Sequence, residues 1–143
     1  MTQKLFNRPV LLVEDNPVDL DLTLRAFSRR KLLNPVQIAR DGEEALAWLP
    51  KWEAGENLPL VILLDLKLPR VHGLEVLSQL KANPVSQSIP VVVLTSSSED
   101  KDIEAAYRLG ANSYIVKPVD FEKFLQVTAQ IEIYWCATNT PLH

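Results

Sequence analysis

Short unbroken apolar runs alternate along this chain with stretches whose apolar positions recur every three to four residues. The first run, VLLV (10–13), is closed by Glu14 and Asp15. No polar position interrupts it, the pattern of a strand buried on both faces. Asn16 and Pro17 then read as a helix N-cap and a proline at the first helical position, and Leu20, Leu24 and Phe27 follow at helical spacing. A more polar run, NPVQIAR (34–40), leads through Asp41-Gly42 into a helix marked by Ala45, Leu46 and Leu49. LPLVILLD (58–65) is the third strand, and Leu74, Leu77 and Leu80 mark the helix after it. IPVVVLTS (89–96) is the fourth. The helix after it, SEDKDIEAAYRLG (98–110), opens at Ser98 and closes at Gly110, a residue suited to the C′ position. ANSYIVKP (111–118) is the fifth strand, ended by Pro118. VDFEKFLQVTAQIEIYW (119–135) is the last helix, with Asp120 as its N-cap. Along it Phe121, Phe124, Leu125, Ile131 and Trp135 form one inward stripe, with Val127, Ile133 and Tyr134 off it.

Five strand-helix repeats with near-continuous apolar strands predict an α/β fold, a five-stranded parallel sheet with helices on both faces. Right-handed crossovers leave few topologies, and the doubly wound, flavodoxin-like order 2-1-3-4-5 fits best. The longest connection, PKWEAGENLP (50–59), extends the second helix and then loops away from the carboxyl ends of the strands. At 143 residues the chain is one domain, with a core over about 8–134 and a tail over 136–143.

Charge and cysteine content narrow the function. A net charge of −3 without a Lys/Arg cluster argues against direct nucleic-acid binding. Cys136 is the only cysteine, so no intramolecular disulfide forms, in keeping with a reducing compartment. No apolar run resembles a signal peptide or approaches the roughly 18 residues of a membrane span. The expected location is the cytoplasm.

In a sheet of this kind ligands bind outside the carboxyl ends of the strands. Strand one ends in Glu14-Asp15, strand three in Asp65, strand four in Thr95-Ser96 and strand five in Lys117-Pro118. Three carboxylates, a hydroxyl and an ammonium are therefore expected in one cleft. Carboxylates that close repel and raise one another's pKa, a conflict that a divalent cation removes. Without Cys or His in the set, the metal is a hard one that keeps waters, Mg²⁺ or Mn²⁺. Asp65 would then be both ligand and nucleophile, forming an acyl phosphate while the metal neutralises the phosphoryl oxygens. Thr95 can donate to a phosphoryl oxygen and Lys117 can pair with it.

The motifs LLVEDNP, LLDLKLPRVHG, VVVLTSS and YIVKP, in this order and spacing, resemble the receiver domain of two-component response regulators over about 8–134. The resemblance implies that Asp65 is the phospho-acceptor, that Asp15 binds Mg²⁺ directly, that Glu14 acts on it through water, and that the backbone carbonyl of Lys67 is a third protein ligand. It makes Thr95 the switch hydroxyl, Lys117 the counter-ion of the phosphoryl group and Tyr114 the switch aromatic. It also implies a cis Lys117-Pro118 peptide bond. The Lys67 side chain, at a position where the family often carries Asn or another small or polar residue, would overlook the path of the water that attacks the phosphoryl group.

VEDNPVDLDL, SIPVVVLTSS and the aromatic end IEIYW further resemble the stand-alone regulators paired with bacterial phytochrome histidine kinases, best known in cyanobacteria. That implies a sensor histidine kinase as partner, no output domain, and a homodimer through the face formed by the fourth helix, the fifth strand and the last helix, with the C-terminal tail. Two other classes fit less well. A haloacid-dehalogenase-type phosphatase needs a second Asp where this chain has Lys67, and a flavodoxin needs a Ser/Thr/Gly-rich phosphate loop where this chain has EDNPVD.

Overall fold

The computed structural model describes residues 8–136. Strands β1 (Val10–Val13), β2 (Val36–Ala39), β3 (Val61–Leu64), β4 (Val91–Thr95) and β5 (Ser113–Val116) form one parallel sheet in the order β2-β1-β3-β4-β5. The predicted fold class and strand order are both found. Helices α1 (Pro17–Arg29), α2 (Gly42–Leu46), α3 (Trp48–Glu53), α4 (Gly73–Ala82), α5 (Asp100–Arg108) and α6 (Phe121–Trp135) join the strands.

Strand residues alternate between faces, so each central strand feeds two cores. Leu12, Leu63, Val92 and Leu94 pack with Leu20 and Phe27 of α1 and Ile131 of α6. Leu11, Val13, Ile62, Leu64 and Val93 pack on the other face with Ala45, Trp52, Leu77 and Ala106, from α2 to α5. Burial on both faces explains why β1, β3 and β4 read as unbroken apolar runs.

Local chemistry sets the helix ends. Asn16 Oδ1 accepts from the N–H groups of Val18 and Asp19 at 2.9 and 3.1 Å, and Asp120 Oδ1 accepts from Glu122 and Lys123. Gly110, at φ +108°, ends α5. The opening of α5 differs from the expectation at Ser98. Glu99 holds the N-cap position without a side-chain cap, and Ser97 Oγ accepts from its N–H instead. The second helix is in two pieces: Pro50 has no N–H to donate to Leu46, and the chain restarts as α3 after Ala47.

Two further expectations are corrected. The inner face of α6 is Phe124, Thr128, Ile131 and Glu132, while Phe121 is exposed against Arg29. Val127, expected off the inward stripe, packs partly buried on the second core. The Lys117-Pro118 peptide bond is trans, like the other peptide bonds among the described residues. The two isomers of an X-Pro bond differ by only about 0.5–1 kcal/mol, so the sequence Lys-Pro does not choose between them.

Candidate functional site

Glu14, Asp65 and Lys117 each stand one step beyond a strand, held there by a backbone bond to the neighbouring strand. Glu14 N–H donates to Ala39 O at 3.0 Å, Asp65 N–H to Val13 O at 3.1 Å, and Lys117 N–H to Thr95 O at 2.7 Å. The ladder thus carries three side chains to one edge of the sheet. The loop after Asp65 folds back tightly: Gly73 N–H donates to Leu66 O at 2.8 Å. A Cβ on Gly73 would lie 2.4 Å from the Asp65 carbonyl oxygen, so α4 starts against the Asp65 backbone only because residue 73 has no side chain.

Lys117 organises the cleft. Its Nζ lies 2.5 Å from Glu14 Oε1, 2.9 Å from Asp19 Oδ2 and 3.0 Å from Asp65 Oδ2. The ammonium has three N–H donors, one for each carboxylate. The side chains of Lys117, Glu14 and Asp65 are buried, and that of Asp19 is about a third exposed. Burial alone would lower the Lys117 pKa. Its hydrogen bonds to Glu14 and Asp19, with the Asp65 charge, outweigh that and hold it above its ordinary value. Glu14 is pushed the other way for an acid: burial, with the neighbouring Asp65 charge, raises it to about 7 against the pull of Lys117.

Three carboxylates, those of Glu14, Asp19 and Asp65, converge on one ammonium, a cluster with more negative charge than the ammonium neutralises. Asp15 is exposed at its rim, and Glu14, Asp15 and Asp65 each offer an oxygen, all within 4.8 Å of one another. A hard-oxygen donor set with surplus negative charge fits a divalent cation that retains waters. Lys67 is exposed beside it, and its N–H points to Asp65 Oδ1 at 3.4 Å.

Thr95 ends β4 fully buried, and its hydroxyl faces the Ser97 N–H at 3.5 Å. It makes no hydrogen bond to Asp65 or Lys117 side chains among the described residues. Tyr114 is half-buried on β5. Its hydroxyl donates to Ser97 O at 2.8 Å, and burial raises its pKa against that bond. Ser97 Oγ donates in turn to Asp102 Oδ2 at 2.6 Å. The loop after β4 thus ties Thr95, Tyr114 and α5 together.

Comparison with known proteins decides the family. The profile of the response regulator receiver domain matches residues 10–129. The chain belongs to that family. Proteins similar to it include the probable methanogenesis regulatory protein FilR2 of Methanothrix harundinacea, 44% identical over 91% of this chain and 84% of that one. Response regulator Rcp1 of Synechocystis is 38% identical over 92% of this chain and 90% of its own. Its Mn²⁺-bound crystal structure superposes with a TM-score of 0.83, at 36% identity over 95% of this chain and 99% of that one. The phosphorylated cyanobacterial phytochrome response regulator RcpA superposes with a TM-score of 0.84, at 36% identity over 94% and 99%.

In this receiver the structure brings together Glu14, Asp15, Asp65 and Lys117, as the strand ends predicted. It sets Thr95 and Tyr114 one loop away, both on Ser97. Sequence reasoning missed Asp19 and Ser97. Asp19 had a readable signal: it lies in the first turn of a helix that starts at the site, three residues after the N-cap Asn16. Ser97 had none, because a serine in a Ser-Ser-Ser run does not announce which of the three is buried. No helix among the described residues is long and apolar enough to cross a membrane.

Proposed function

We propose that this receiver is a phosphorylation switch with Asp65 as its acceptor. The observation that carries the reading is the Lys117 ammonium within hydrogen-bond distance of Asp65 and Glu14 at the one edge where the strands end. An Asp65 oxygen attacks the phosphorus of a phosphohistidine on a sensor kinase. The new O–P bond forms as the N–P bond breaks, and the leaving imidazole nitrogen keeps the electron pair. Lys117 offers positive charge to the phosphoryl oxygens. Asp15 and Asp65, the Lys67 carbonyl, and Glu14 through water would hold Mg²⁺, which when bound neutralises the phosphoryl charge. The reading makes the protein a catalyst of its own phosphorylation and dephosphorylation only.

In this reading Thr95 and Tyr114 are the switch. A shift of Thr95 toward the phosphoryl group pulls on Ser97, whose carbonyl anchors the Tyr114 hydroxyl, so α5 and β5 sense the acceptor. The likeness to Rcp1 and RcpA supports a phytochrome-type histidine kinase as donor. Lys67, exposed at the rim, stands where it can screen the phosphoryl group from water. The test is labelling with acetyl phosphate. Wild type takes up phosphoryl in Mg²⁺ and little in EDTA, and Asp65→Asn takes up none. Full labelling of the variant, or labelling undiminished by EDTA, overturns the proposal.

A further inference from the structure

In the usual capping box the residue three positions after the N-cap folds its side chain back onto the N-cap backbone N–H. Asp19 holds that position in α1, and Asn16 is the N-cap. The box is not made. The Asn16 N–H is taken by Glu14 Oε2 at 3.2 Å, which releases the Asp19 carboxylate. Asp19 turns instead to Lys117, and its Oδ2 accepts from Nζ at 2.9 Å. Its backbone is fixed on both sides: its N–H donates to Asn16 Oδ1 at 3.1 Å, and its carbonyl accepts from Thr23 Oγ1 at 2.8 Å. Thr23 is buried, so this turn of α1 is anchored in the core.

An ammonium on a four-carbon stem has three rotatable donors and little directional preference of its own. Two fixed acceptors besides the target remove that freedom. Glu14 supplies one from β1 and Asp19 the other from α1, and the third N–H then faces Asp65 Oδ2 at 3.0 Å. We infer that Asp19 is a positioning residue for phosphoryl transfer, aiming the Lys117 ammonium at Asp65 and at the phosphoryl group it receives. The inference rests on Asp65 being the acceptor. It assigns Asp19 an orienting role through its hydrogen bond, not a role as metal ligand: the oxygens grouped for a cation are those of Glu14, Asp15 and Asp65.

The test compares Asp19→Ala, Asp19→Asn and Asp21→Ala in the full chain. Asp21 lies on the same helix, exposed, and pairs with Arg25 away from Lys117. Phosphorylation by acetyl phosphate in Mg²⁺ is expected to slow about tenfold in Asp19→Ala, the cost of a loosely placed charge at a reacting centre. Asp19→Asn, which keeps an oxygen acceptor, recovers most of the rate, and Asp21→Ala matches wild type. In metal-free protein, ¹⁵N NMR of the lysine ammonium groups gives a readout independent of turnover. The Lys117 signal, slow to exchange with water in wild type and Asp19→Asn, broadens away in Asp19→Ala. Unfolding in urea identifies any variant that has lost its fold, in which case Asp19→Ser replaces it. An unchanged rate in Asp19→Ala, an Asn variant as slow as the Ala variant, or an equal loss in Asp21→Ala overturns the role of Asp19. A wild type that takes no label, or labelling that survives Asp65→Asn, removes the acceptor reading instead.

Discussion

Glu132 sits on the inner face of α6 with no exposed surface. Its Oε2 accepts from Arg30 Nε at 3.2 Å, and its Oε1 has no hydrogen-bond partner among the described residues. Burial raises its carboxyl to about 7, with Arg30 pulling the other way. The folded chain therefore holds this proton to a higher pH than the unfolded chain does. The stability it contributes is full below its ordinary value near 4.5 and is lost as pH rises through about 7. Glu14 titrates in the same window and with the same sign, so the comparison must be with a variant. Urea unfolding in EDTA at pH 5 and pH 8 is expected to show a smaller pH difference in Glu132→Gln than in wild type, with the variant the more stable at pH 8. Equal pH differences contradict this account. Nothing in the apolar pattern pointed to Glu132, because a charged residue on the inner face is invisible to a search for apolar spacing.

At the scale of elements, the contact between α4 and the Asp65 loop is a close constraint on the site. A methyl group at position 73 would lie 2.4 Å from Asp65 O and 2.5 Å from Leu66 Cα, both backbone. Neither can swing aside as a side chain would. Gly73→Ala is therefore expected to cost about 1–3 kcal/mol in urea unfolding and to slow Asp65 phosphorylation. A variant with wild-type stability and rate shows that α4 moves freely. The same scale shows what sequence makes legible. The strands, the caps at Asn16 and Asp120 and the stop at Gly110 were readable, since each has a local chemical cause. The phase of α6 was not: Thr128 and Glu132 take inward positions, and the apolar residues alone place the stripe too far toward Phe121. The break at Ala47 had a local cause in Pro50, which apolar spacing passes over, and the cap supplied by Ser97 depends on neighbours that sequence spacing does not rank.

Across the whole molecule, the surface between α5 and α6 stands out. Tyr107 and Tyr134 line a groove there with Tyr114, and Tyr107, Val116, Ile133 and Tyr134 are exposed. Apolar and aromatic exposure on the face that Tyr114 links to the site is what the homodimer implied by the family resemblance would need. The tail residues 137–143, also assigned to that interface, lie outside the described residues. Sedimentation is expected to show a dimer in wild type that weakens at least tenfold in the double variant Ile133→Ala, Tyr134→Ala, whose exposed side chains contribute little to folding. A monomeric wild type, or a dimer indifferent to both substitutions, contradicts the interface. The site itself was legible at this scale, because four strand ends of one parallel sheet must meet at one edge. Asp19 was not, since it reaches the cleft from a helix.

In the proposed switch one carboxylate, Asp65, carries the phosphoryl group, and the most direct measurement locates that group chemically. Borohydride reduces a phosphorylated aspartate to homoserine, which peptide mass spectrometry reads position by position. After phosphorylation in Mg²⁺, homoserine is expected at position 65 and at no other aspartate. Homoserine at position 15 or 19, or none in protein that has taken up phosphoryl, contradicts the account.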